Sequence, residues 1–103
     1  MSIIYVDIDM TICTYKKGVP LDGKWSYEKA IPSYENIAKI NKLYDEGHTI
    51  VYYTARGSRS GTDWTELTMR QLNEWQVKYH ELRLDKPYYD LLIDDRAQRI
   101  EEI

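Results

Sequence analysis

The chain has no phenylalanine, one cysteine, three prolines and five glycines in its 103 residues. With Cys13 alone, no internal disulfide can form and no cysteine zinc cluster can be built. No apolar run approaches the length of a membrane span. A basic stretch leading into an apolar segment is also missing at the start, where Met1–Val6 runs straight into Asp7. A secretory signal is therefore not expected, and a cytoplasmic location is. Positive charge is not in excess: 14 Lys and Arg stand against 17 Asp and Glu, for a net charge of −3. That balance argues against a broad nucleic-acid surface.

What is present fits an ordinary globular domain, with 43% apolar and 30% charged residues. The length allows one domain over residues 1–103, with a thin core and no surplus for a second. Ten Tyr and three Trp take the place of Phe. Such rings finish a shallow core while a hydroxyl or indole N–H reaches water or a polar partner.

The run Ile3-Ile4-Tyr5-Val6-Asp7-Ile8-Asp9 is short and rich in β-branched and aromatic residues, as a buried strand is. Being nearly all apolar, it suits a parallel sheet covered on both faces. Residues 12–30 contain Gly18, Pro20 and Asp22-Gly23, which mark an irregular segment or small hairpin. Pro32-Ser33 opens a helix whose stripe is Ile37, Ile40, Leu43 and Tyr44, with Gly47 as its C′ residue. Residues 48–53 form a second strand, and 54–61 a polar, glycine-bearing loop. Asp63 and Glu66 resemble a capping box for a second helix carrying Leu72, Trp75 and Tyr79. A short strand over 81–84 and an apolar one over Tyr89–Ile93 follow, then a helical tail from Arg96 to Ile103. Strands alternating with helices predict an α/β, Rossmann-like, mainly parallel sheet of four to five strands flanked by helices.

Ligands of open α/β sheets bind beyond the carboxyl ends of the strands. Those ends carry Asp7 and Asp9, then Thr54, then Lys86, and finally Asp94 and Asp95. Carboxylates without His or Cys partners favour Mg²⁺, which takes a few carboxylates, water and a phosphate. Asp7 could attack phosphorus as a nucleophile. Lys86 and the metal would screen the repulsion between carboxylate and phosphate and stabilise the spread charge. Asp9 could protonate the leaving oxygen and later activate water.

Asp7-Ile8-Asp9-Met10-Thr11 fits the DxDxT signature of the haloacid dehalogenase (HAD) superfamily of phosphohydrolases. Thr54, Lys86 and Asp94-Asp95 fit that family's other three motifs, in order and over residues 3 to about 97. The resemblance implies Asp7 as nucleophile and metal ligand, and Asp9 as acid/base with its carbonyl on the metal. It also implies a phosphoryl-binding Thr54, a charge-offsetting Lys86, and Asp94 with Asp95 as further Mg²⁺ ligands. Ala55 and Arg56 fall in the loop beside the phosphate, where an Arg fork matches phosphate geometry. Thr11 braces the loop after the nucleophile.

The intervals 12–53 and 55–85 are too short for the large cap domains of many relatives. The chain resembles capless members of capsular or surface polysaccharide biosynthesis that hydrolyse small sugar or polyol phosphates. Residues 13–30 then serve as a short flap, or a homo-oligomer covers the open site. With only residues 96–103 after Asp95, a final strand is either missing or supplied by a partner. An Asp94-Asp95-Arg96 fourth motif also occurs in HAD 3′-phosphatases of nucleic-acid ends, against which the acidic balance counts. A third reading is a non-catalytic module that keeps the fold. Tyr15, Trp25 and Trp64 flank the expected mouth and are read mainly as packing. Arg59 and Arg96 are read mainly as solvated, His48 as structural, and Cys13 as an unactivated thiol.

Overall fold

The computed structural model describes residues 1–17 and 27–103. The centre of the expected flap, with Trp25, lies outside these residues. Apolar β-branched residues at both ends of the first crossover make its two strands, β1 (Ile3–Val6) and β4 (Thr49–Tyr53), which pair in parallel with Ile4 opposite Ile50. Strand β5 (Glu81–Arg83) adds in parallel on the other side of β4, giving the order β1-β4-β5. Two-residue strands β2 (Cys13–Thr14) and β3 (Ile31–Pro32) pair antiparallel as a separate ladder at the base of the flap. The hairpin reading of residues 12–30 agrees with that ladder.

Helix α1 (Tyr34–Asp45) begins where expected: the Ser33 hydroxyl accepts from Asn36 N–H, and Ile37 and Ile40 are buried. It ends into Gly47 at φ +101°, a left-handed position that glycine occupies without Cβ strain. Helix α2 (Thr65–Glu74) buries Thr68, Gln71 and Leu72. Its expected capping box does not form, because Asp63 spends its carboxylate on Thr65 N–H and Oγ1 at 2.9 and 2.6 Å. Trp75 is the helix's C-cap and Tyr79 lies beyond it, so neither sits on a helical stripe as expected, although Trp75 still joins the core.

Residues of one strand face, Ile4, Val6, Ile50, Tyr52 and Leu82, pack with Ile37, Ile40 and Leu72 from the two helices. Ile3 and Tyr5, on the opposite face of β1, are 71% and 50% exposed. The expectation of a sheet covered on both faces is therefore corrected at β1: one face is open.

Two further corrections concern the C-terminal end. Tyr89–Ile93 is not a strand, so the sheet has three strands among the described residues rather than four to five. Apolar composition favours a strand, but a strand forms only where a ladder partner satisfies its backbone. The tail holds one short 3-10 turn, Ile100–Glu102, in place of a helix. No described helix is long and apolar enough to cross a membrane.

One core polar atom stands alone. Tyr52 is fully buried and its hydroxyl has no hydrogen-bond partner among the described residues. An unpaired buried hydroxyl forfeits its hydration for nothing. Tyr52→Phe should thus leave the melting temperature unchanged or raise it by a few °C, to order of magnitude. A clear fall in a calorimetric scan would show that the hydroxyl has a partner after all.

Candidate active site

The strand order places Asp7 just past β1, Thr54 at the end of β4 and Lys86 past β5, all at one edge of the sheet. Backbone bonds tie the last two ends together: Thr54 N–H donates to Arg83 C=O at 2.9 Å, and Lys86 N–H to Thr54 C=O at 3.3 Å. The Lys86 ammonium stands 3.6 Å from Asp7 Oδ1. Asp85, the competing acid next to Lys86, is taken by Arg83, which grips it through Nε and NH2 at 3.1 and 2.6 Å. Lys86 is thereby left for Asp7. Its ammonium also lies over the rings of Tyr53 and Tyr89, at 6.0 and 5.4 Å from their centroids.

Burial raises the Asp7 carboxyl above its ordinary value, and the charge of Lys86 opposes that shift. A raised acid pKa means that the folded chain holds its proton more tightly than the unfolded one. Stability therefore falls as pH climbs from the ordinary value of 3.8 through the folded-state value. Asp7→Asn, which mimics the protonated carboxyl, should raise the melting temperature at pH 7. The gain should fade below about pH 4, where Asp7 is protonated in both states. A variant less stable than the parent at pH 7 would contradict this balance of burial over Lys86.

Asp9 does not continue the strand beside Asp7. Met10 takes a left-handed conformation (φ +65°), and Thr11 and Ile12 N–H both donate to Ile8 C=O, closing a tight turn. The turn leaves Asp9 facing Arg56, whose Nε and NH2 reach its two oxygens at 3.0 and 2.8 Å. Tyr15 hydroxyl donates to the same carboxylate at 2.5 Å, and the Cys13 thiol approaches it at 3.5 Å. Burial and then the Asp9 charge push that thiol up to about 12, so it stays protonated at neutral pH.

Arg56 is the sharpest departure from expectation. Its side chain is fully buried. NH1 donates to Thr68 Oγ1 at 3.0 Å and Gln71 Oε1 at 2.6 Å, and NH2 also reaches Tyr15 Oη at 3.5 Å. All five guanidinium N–H groups are committed, and the Tyr27 ring covers the carbon at 4.8 Å. Arg56, expected beside the phosphate, here locks Asp9 to α2. Gly57 shapes this loop, since at φ +84° an added Cβ would meet Thr62 C=O at 2.1 Å. Thr54 is buried, and its hydroxyl accepts from Arg56 N–H at 3.2 Å, so it serves the loop here rather than an open pocket. Ala55 is half-buried in the same turn, its C=O accepting from Ser58 N–H at 2.9 Å.

Asp94 and Asp95 are exposed. Asp94 Oδ1 accepts from Arg96 N–H at 2.9 Å, the contact that holds its carboxyl below the usual value. No three His, Cys, Asp or Glu residues among those described form a group able to hold a metal. The expected Mg²⁺ ligands Asp7, Asp9, Asp94 and Asp95 do not form such a group among the described residues. The Asp9 carboxylate is engaged by Arg56 and Tyr15, while the expected Asp9 contribution to a metal is its backbone carbonyl.

Sequence reasoning missed Tyr15 as an Asp9 partner, and missed Thr68 and Gln71 entirely. Their signal is faint: two polar residues three apart on the face of α2 that also carries Leu72. Trp64 is buried and packs edge-on against Tyr27 at 5.1 Å, in line with its packing role. His48 is structural too, its Nδ1 accepting from Ser2 N–H at 3.1 Å.

No protein-family model and no curated protein matches the chain. It is similar to the crystal structure of a structural-genomics target from Vibrio cholerae, with 27% identity and a TM-score of 0.81, over 99% of this chain and 86% of that one. The likeness establishes that this α/β architecture is one observed experimentally.

Proposed function

We propose that this protein is a phosphomonoester hydrolase of the HAD type, working through an aspartyl-phosphate on Asp7. Its substrate is a small phosphorylated sugar, polyol or related metabolite, and its setting is cytoplasmic synthesis of capsular or surface polysaccharide. The observation that carries this reading is the Lys86 ammonium 3.6 Å from Asp7 Oδ1, at the sheet edge where Thr54 also ends its strand.

In the first half-reaction an Asp7 oxygen attacks phosphorus and the bond to the leaving oxygen breaks. In the second, water attacks phosphorus, releasing phosphate and restoring the carboxylate. Lys86 offsets charge on the transferring group at both stages. Asp9 is the proposed acid and base, a role that requires its carboxylate to give up a present partner such as Tyr15. Mg²⁺ is the proposed cofactor, which Asp7, the Asp9 backbone carbonyl, Asp94 and Asp95 would hold and which would offset the charge of the transferring phosphoryl group.

The test is phosphate release in the presence of Mg²⁺ from an aryl phosphate and a panel of sugar, polyol and nucleotide monophosphates. Turnover of the small sugar or polyol esters is expected. Strong preference for a 3′-phosphorylated oligonucleotide, with steep salt dependence, would move the substrate class to nucleic-acid ends. Silence across the whole panel would leave a binding module instead of an enzyme.

A further inference from the structure

We propose that Tyr89 selects the leaving group: its ring is a stacking platform beside Asp7 that favours esters whose phosphate is joined directly to a six-membered ring. This rests on the proposed chemistry at Asp7 and assigns the residue that reads the other half of the substrate.

Lys86 links nucleophile and platform. Its ammonium stands 3.6 Å from Asp7 Oδ1 and 5.4 Å from the Tyr89 centroid. The Tyr89 ring is thus no farther from the nucleophilic oxygen than those two distances laid end to end. A phosphorus poised for attack sits about 3–3.5 Å from the attacking oxygen. A ring bonded to the ester oxygen comes next along that span. A base carried on a ribose falls farther out, and an open-chain polyol has no flat face to lay on Tyr89.

The platform is open and its mounting is fixed. Tyr89 is 39% exposed, and the ammonium over its ring leaves a gap wider than a close contact. The chain that carries it is tied down: Lys86 N–H donates to Thr54 C=O at 3.3 Å, and Lys86 C=O accepts from Ser58 Oγ at 2.6 Å. Tyr88, next along, lies under the Arg59 guanidinium at 4.6 Å. A tyrosine held in this way loses little conformational freedom when a ligand stacks on it.

Charges around the ring are already engaged with one another. Arg83 grips Asp85 and lies over Tyr53, whose ring also faces Lys86 at 6.0 Å. Asp85 and Asp90 are exposed and would repel a second anionic group on the substrate. Recognition beyond the phosphate therefore falls to a ring face, and an uncharged ring fits it. A pyranose offers its C–H face and an aryl group its π face, which is the same chemistry for Tyr89.

The experiment compares kcat/KM for ring esters with kcat/KM for an open-chain polyol phosphate. A pyranose 1-phosphate and an aryl phosphate are run as separate arms, on the parent, Tyr89→Phe and Tyr89→Ala. The parent should prefer a ring ester, Tyr89→Phe should keep that ratio, and Tyr89→Ala should lower it about tenfold. The arm in which the ratio falls identifies the ring. If Tyr89→Ala acts only by displacing Lys86, both numbers fall and the ratio stays, which would overturn the platform; so would a parent that prefers neither ring ester. Binding to Asp7→Asn, followed by the NMR signals of the tyrosine rings, separates this from the hydrolase reading. Tyr89 signals, assigned by their loss in Tyr89→Phe, should shift with a ring ester and stay still with inorganic phosphate. That shift in a protein without turnover would sink the hydrolase and keep the ring site, whereas turnover without the shift would do the reverse.

Discussion

Asp7→Asn should abolish phosphate release while leaving the chain folded. Removing a nucleophile from an enzyme that works by covalent catalysis costs roughly a thousandfold or more in kcat, because no neighbour can form the same intermediate. Here the neighbouring acid cannot substitute, since Asp9 is turned away from Asp7 and gripped by Arg56 through both oxygens. The same substitution should stabilise the protein at neutral pH, because burial disfavours the Asp7 charge more than Lys86 favours it. Lost turnover with a raised melting temperature would separate a chemical role from a structural one. If the variant keeps turnover near that of the parent, Asp7 is not the nucleophile.

Arg56→Ala should have the opposite profile, a large loss of stability. The guanidinium is fully buried against an Asp9 side chain that is 21% exposed. Deleting one partner leaves a carboxylate, the Thr68 hydroxyl and the Gln71 carbonyl without a common donor. Breaking a buried pair in this way costs about 3–5 kcal/mol. For a domain of this size that corresponds to a fall in melting temperature of more than about 10 °C. Arg56→Lys should recover only part of it, because a point charge cannot grip Asp9 with two parallel bonds and still reach α2. Thermal unfolding followed by circular dichroism decides the matter. A loss under about 1 kcal/mol would mean that the network is worth no more than a surface pair.

The two networks explain which parts of the fold are legible in the sequence. Helix α1 is readable because each signal is local: Ser33 caps it, Ile37 and Ile40 face the core, and Gly47 stops it. The strand ends carrying Asp7 and Thr54 follow from apolar runs bounded by polar residues. Arg56 is not legible, since an arginine two residues past a strand reads as solvated unless its distant partners, Asp9, Thr68 and Gln71, are already known. Asp63 looks like an N-cap, yet its nearest donors, both on Thr65, take it first. Tyr89–Ile93 has the composition of a strand, but pairing is a non-local property that composition does not encode, and the segment forms no strand here.

The most direct test of the proposed chemistry is rapid acid quench during turnover of a radiolabelled phosphomonoester in Mg²⁺, followed by peptide mapping. Label on Asp7 as a hydroxylamine-sensitive acyl phosphate, absent in Asp7→Asn, is the predicted result. Steady turnover with no label on the protein, or with label on another residue, would contradict it.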